Sequence, residues 1–208
     1  MNFESLILDI DGTLWDSRQV VAESYNAQVS EEGYGRYCVD AETLTGVFGK
    51  TTRAIAEALF PDLADEIRYP LMDRCLKRED ETLKDYTKDI SYPGVKETLE
   101  KLAKKYRLFI VSNSECGYLA LCVEKMGLEH LISGHLCYGD TRTCKGETIK
   151  KLMADHQITS ACYIGDTEGD MEASELAGIP FVYCAFGFGN VKEYWKSIDR
   201  FEELKTIF

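Results

Sequence analysis

Two clusters of acidic residues carry the strongest chemical signal in this sequence. The first is Asp9-Ile10-Asp11-Gly12-Thr13-Leu14, directly after the apolar run that opens the chain. Carboxylates spaced i, i+2 at the end of a strand point to the same side, and Gly12 allows a sharp turn that presents backbone N–H groups to an anion. The second is Ile164-Gly165-Asp166-Thr167-Glu168-Gly169-Asp170, which also follows an apolar run. If the two strand ends lie close together, Asp9, Asp11 and Asp166 can offer oxygen ligands to a hard octahedral cation, which Mg²⁺ suits best. Asp170 can cap the helix that follows and also act behind a metal. An EF-hand loop is excluded, because its required sixth-position Gly and twelfth-position Glu fall here on Leu14 and Val20.

Two further elements suit a phosphate. Ser112, with Asn113 and Ser114 behind it, ends another apolar run and precedes a helix near Gly117, a placement that binds anions. Lys145 precedes a helical stretch and can neutralise charge on a transferring phosphoryl group. Taken singly, each has an ordinary explanation: a polar turn, a helix cap or a surface lysine.

The elements that must position these groups alternate along the chain. Apolar runs at Ser5 to Ile10, Leu108 to Ser112, Ala161 to Gly165 and Pro180 to Ala185 read as strands buried on both faces, with Gly134 to Tyr138 a weaker fifth. Helical spacing lies between them, at Gly94 to Lys105, Tyr118 to Met126, Glu147 to Asp155 and Asp170 to Ala177. Strand and helix in alternation predict an α/β fold with a doubly wound parallel sheet. In such a sheet ligands bind beyond the carboxyl ends of the strands. Residues 17–89 break the alternation. They lack a convincing strand, carry helical spacing (Ile55, Leu59; Leu71, Cys75), and contain loop signals at 32–35 and 60–62. The expected division is therefore a core of residues 1–16 and 90–208 with a helical insert at 17–89.

Composition narrows the partners. The 208 residues are 45% apolar and 29% charged, as in ordinary globular proteins. The formal charge of -12 disfavours nucleic acid and acidic membranes. No apolar run reaches the roughly 20 residues of a membrane helix, and the opening residues carry acids where a signal peptide carries basic ones, so the expected location is cytoplasmic. The eight cysteines form no CxxC pair and read as reduced, half-buried hydrophobes. His135, Cys137 and Cys144 lack standard zinc spacing.

In order and spacing these elements resemble the haloacid dehalogenase superfamily. Its four motifs correspond here to Asp9-Ile10-Asp11-Gly12-Thr13, Ser112, Lys145, and Gly165-Asp166-Thr167-Glu168-Gly169-Asp170. The insert after the first motif is similar to the cap of the phosphoglycolate phosphatase and β-phosphoglucomutase branch. The resemblance implies a Mg²⁺-dependent phosphatase acting on a small phosphorylated metabolite. It makes Asp9 the nucleophile and Asp11 the acid/base, with Mg²⁺ held by Asp9, the backbone carbonyl of Asp11, and Asp166. Lys145 and Ser112 would hold phosphoryl oxygens, and Asp170 would orient Lys145 or metal-bound water. It also points to Gly49-Lys50-Thr51-Thr52-Arg53 as a cap segment reaching substrate, with Lys50 and Arg53 as substrate-binding candidates. A dehalogenase lacks the second Asp, and a non-catalytic module would have lost part of the acid cluster. The mutases carry a His in the first cap helix where this chain has Val21, which favours water as the phosphoryl acceptor.

Overall fold

The structure is a computed structural model and describes residues 2–208. It separates into two compact units: the chain up to Asp16 together with Ile90–Phe208, and Ser17–Asp89.

The first unit is built on a parallel sheet of six strands: β1 (Ser5–Leu8), β2 (Arg107–Ser112), β3 (Ile132–Cys137), β4 (Ala161–Gly165), β5 (Phe181–Cys184) and β6 (Lys196–Ile198). Their order is β3-β2-β1-β4-β5-β6, and every neighbouring pair is parallel. This is the doubly wound arrangement expected, and its winding reverses between β1 and β4. Odd-numbered residues, among them Ile7, Phe109, Val111, Ala161, Tyr163 and Phe181, form one buried face. Even-numbered Leu6, Leu8, Leu108, Ile110, Cys162 and Ile164 are fully buried on the other. Burial on both faces is why these strands are continuously apolar. At the sheet edge, β3 alternates between exposed and half-buried residues before ending on buried Cys137.

The second unit contains α1 (Arg18–Glu31), α2 (Ala41–Thr45), α3 (Thr52–Leu59) and α4 (Asp65–Asp85), and no strand. Its own core gathers Val21, Tyr25, Leu44, Leu59, Phe60 and Leu71. Arg68 holds the turn before α4, donating to the carbonyls of Phe60, Pro61 and Leu63. Buried Tyr25 donates its hydroxyl proton to Glu79 across α1 and α4 at 2.7 Å.

The helices of the first unit are α5 (Val95–Leu102), α6 (Cys116–Lys125), α7 (Tyr138–Thr141), α8 (Lys145–Asp155), α9 (Glu168–Ala177) and α10 (Leu204–Ile207). Three differences from the sequence reading matter. Lys145 is the first residue of α8, not a residue ahead of it. The cap of α9 is Thr167, with Asp170 one turn in and returning a bond to Thr167 in a reciprocal capping box. A sixth strand, β6, lies where the sequence showed no apolar run.

Candidate active site

The reversal of winding places the ends of β1 and β4 side by side, since Leu8 pairs with Ile164 and the Asp9 N–H continues the ladder to the Ile164 carbonyl at 2.9 Å. Asp9 therefore leaves β1 beside Asp166 leaving β4. Both are buried, at 3% and 0% exposure. The carboxylates of Asp9, Asp166 and Asp170 offer oxygens within 4.8 Å of one another.

Lys145, also buried, reaches into this group from the first position of α8. Its Nζ lies 2.6 Å from Asp170 Oδ1 and 3.1 Å from Asp9 Oδ2. The other Asp170 oxygen accepts from the N–H groups of Asp166 and Thr167 and from the Thr167 hydroxyl. Asp166 Oδ2 accepts from the Phe188 N–H at 2.7 Å. Asp9 Oδ1 is buried and has no hydrogen-bond partner.

Electrostatics follow from that geometry. Burial pushes the Asp9 carboxyl up to about 7, against the pull of Lys145. Burial and the neighbouring Asp170 charge drive Asp166 well above the usual carboxylate range. Asp170 is buried too, yet Lys145 and the Thr167 bonds hold it low. Burial works against the Lys145 ammonium, but Asp170 and Asp9 more than offset it and hold its pKa high. Among the described residues one ammonium thus serves three buried carboxyl groups, and one oxygen of Asp9 is left without a partner. A hard divalent cation fits that deficit and that all-oxygen donor set.

Asp11 stands apart from the cluster. Its Oδ1 accepts from Trp15 Nε1 at 2.9 Å and from the Tyr118 hydroxyl at 2.5 Å. Its side chain is not among the three gathered carboxylates. Gly12 has φ +78°, and a Cβ there would lie 2.0 Å from Asp166 Oδ2. Only glycine lets the turn pass so close to that carboxylate. Gly187 has a similar role, with a hypothetical Cβ 2.3 Å from the Asp166 Cβ.

Ser112 ends β2, buried, with its Oγ accepting from the Ser114 N–H at 3.2 Å. Half-buried Asn113 lies in the same turn. Lys50 and Arg53 are exposed residues of the Ser17–Asp89 unit, where Arg53 pairs with Glu57 at 3.4 Å and lies 4.4 Å above the Tyr69 ring. Reasoning from sequence missed Trp15, Tyr118, Phe188 and Gly187. Only Trp15, four residues from Asp11, gave a local signal.

Residues 6–184 match the family described as haloacid dehalogenase-like hydrolase. A phosphoglycolate phosphatase of Xanthomonas campestris pv. campestris (strain 8004) is 30% identical over 190 residues, covering 88% of this chain and 84% of that protein. A predicted phosphoglycolate phosphatase from Haemophilus somnus 129pt has a similar fold, with TM-score 0.87, 20% identity, and coverage of 99% of this chain and 97% of that one. A haloacid dehalogenase-like hydrolase from Streptococcus pneumoniae gives TM-score 0.86 at 20% identity, over 99% and 98% of the two chains. The chain belongs to the haloacid dehalogenase-like hydrolase family, and within it is a phosphoric monoester hydrolase. Among the described residues no helix is long and apolar enough to cross a membrane.

Proposed function

We propose that this enzyme hydrolyses small phosphate monoesters through a phosphorylated Asp9, with Mg²⁺ as its metal. The orphaned, buried Oδ1 of Asp9 carries this reading, because a buried carboxylate oxygen without a partner is costly unless a ligand completes it. The Asp9 carboxylate attacks phosphorus, the new O–P bond forms, and the ester P–O bond breaks. Asp11, oriented by Trp15 and Tyr118, gives its proton to the departing alcohol oxygen. Water then attacks the same phosphorus, passes a proton to Asp11, and releases inorganic phosphate and free Asp9. Lys145 holds phosphoryl charge, and the turn at Ser112 and Asn113 binds phosphoryl oxygens.

Mg²⁺ would be held by Asp9, Asp166 and the Asp11 carbonyl, with Asp170 behind Lys145. When bound it supplies the positive charge that keeps a carboxylate nucleophile and a phosphate dianion from repelling one another. The Ser17–Asp89 unit is the cap, with Lys50 and Arg53 selecting among substrates. Phosphoglycolate, the substrate in the Xanthomonas relative's name, heads the panel to be tried. Val21, fully buried among apolar cap residues, supports transfer to water over return to a sugar. The charge of -12 and the small substrate suit a cytoplasmic enzyme without nucleic-acid or membrane partners.

The test is a panel of phosphate esters, phosphoglycolate among them, with wild type and Asp9→Asn in EDTA, Mg²⁺ or Ca²⁺. Wild type should work only with Mg²⁺, and the folded amide variant should be inactive. Full activity after chelation, or in Asp9→Asn, would sink the mechanism. Glucose 6-phosphate forming from β-glucose 1-phosphate faster than phosphate is released would make it a mutase.

A further inference from the structure

Cys116, Cys137 and Asp140 form a second group of potential metal ligands, sharing no residue with the acid cluster around Asp9. Cys116 opens α6, Cys137 ends β3, and Asp140 lies in the short α7 that follows. The two Sγ atoms are 3.4 Å apart. Cys116 Sγ is 3.2 Å from Asp140 Oδ1, and Cys137 Sγ is 3.1 Å from Asp140 Oδ2. Each sulfur thus meets a different oxygen of the one carboxylate, and one donor atom from each residue lies within 4.8 Å of the others.

A tetrahedral zinc-like ion with bonds of about 2.3 Å to sulfur and about 2.0 Å to oxygen needs donors roughly 3.4–3.8 Å apart. The sulfurs, 3.4 Å apart, need to part by only a few tenths of an ångström, and either Asp140 oxygen, already within hydrogen-bond reach of one sulfur, can complete one face of that tetrahedron. Backbone already holds its corners: the Cys137 N–H donates to Asp140 Oδ2 at 2.8 Å, so the carboxylate is fixed over the sulfur. Gly139 gives the room, since a Cβ there would fall 2.7 Å from Cys116 Sγ and 3.0 Å from Glu115 Oε2. Glu115, whose Oε1 pairs with Arg142 at 3.1 Å, keeps its Oε2 near this group, and water can supply the fourth ligand. Cys116 and Asp140 are exposed, which leaves an entry path.

The geometry points to a site for one thiophilic divalent cation of the Zn²⁺ class, held by Cys116, Cys137 and Asp140. The all-oxygen cluster prefers a hard ion, whereas two sulfurs select a softer one, so both sites can fill without competing. On binding, each thiol releases its proton to solvent as sulfur bonds the metal, with no change of oxidation state. The site adjoins the phosphate turn, because Cys137 pairs with Ser112 across β2 and β3 and the Gly139 N–H donates to the Ser114 carbonyl at 3.2 Å. A bound ion would brace that turn from outside the acid cluster.

Cobalt reports directly on thiolate ligation. Co²⁺ is titrated into the full-length protein, kept reduced and in excess Mg²⁺, while thiolate-to-cobalt charge-transfer absorption is followed. The expected result is a band that saturates at one equivalent and is displaced by Zn²⁺. Cys116→Ser and Asp140→Asn should each weaken binding by at least about tenfold, with Cys116→Ser also losing about half the band. Both positions are exposed, so circular dichroism should show folded variants, and Cys38→Ser in the other unit should leave the titration unchanged. A wild-type protein without the band overturns the proposal, as does unchanged affinity in either Cys116→Ser or Asp140→Asn.

Discussion

Replacing Lys145 by methionine keeps most of the side-chain volume and removes the ammonium that, among the described residues, is bonded into the acid cluster. Nζ lies 2.6 Å from Asp170 and 3.1 Å from Asp9, with every partner almost wholly buried. Breaking a buried ion pair by deleting one partner costs about 3–5 kcal/mol, because the remaining charge is left uncompensated. For a chain of this size each kcal/mol lowers Tm by roughly 2–4 °C, so a fall of about 10 °C is expected in EDTA at pH 8. The sign of the pH dependence is fixed. Asp170, held low in the native protein, contributes stability above its unfolded-state pKa that is lost as pH falls through its folded value. Asp9, raised to about 7, works the other way, and its contribution is lost as pH rises from the unfolded value toward 7. Without Lys145 all three carboxyls behave like Asp9, so the penalty should be large at pH 8 and much smaller at pH 5, where protonation removes the repulsion. Mg²⁺ should also raise Tm more in the variant than in wild type, since it meets more uncompensated charge. Thermal melts at both pH values, with and without Mg²⁺, provide the readout. Equal losses at pH 5 and pH 8, or an equal Mg²⁺ effect on both proteins, would reduce Lys145 to a packing residue.

Gly12→Ala places a Cβ against Asp166 at a positive φ. Positive-φ strain of about 1–2 kcal/mol adds to the cost of moving buried Asp166, so Tm should fall, and kcat/KM should fall by at least about tenfold as Asp166 is displaced, read by melts and kinetics beside circular dichroism that shows a retained fold. Tyr118→Phe removes the hydroxyl donated to Asp11 at 2.5 Å. It should slow alkyl phosphates more than p-nitrophenyl phosphate, whose leaving group needs little protonation; equal slowing would deny Tyr118 an effect on proton donation. Arg53→Ala should leave Tm nearly unchanged, since its pairing with Glu57 is exposed. It should change the ranking of phosphate esters by kcat/KM, and an unchanged ranking would remove Arg53 from substrate selection.

How far the sequence revealed each feature depended on the energetic cost of that feature. Strands β1, β2, β4 and β5 were readable within a residue or two because burial on both faces demands unbroken apolar runs. The edge strand β3 was blurred by its exposed alternate positions, and three-residue β6, with two exposed residues, gave no apolar signal. Helices α8 and α9 begin earlier than periodicity indicates because their first residues, Lys145 and Glu168, are charged and carry no apolar stripe. The same logic divides the site. Asp9, Asp166 and Asp170 could be found because charged groups after apolar strands are costly to bury and therefore conspicuous. Tyr118, 107 residues from Asp11, and the Phe188 N–H, 22 residues from Asp166, could not, because a neutral donor is ordinary in sequence and acquires its role only through tertiary placement. The pairing of Cys116 with Cys137 was hidden for a similar reason. Separated by 21 residues, they look like two unrelated small hydrophobes until parallel pairing of β2 with β3 brings the start of α6 beside the end of β3.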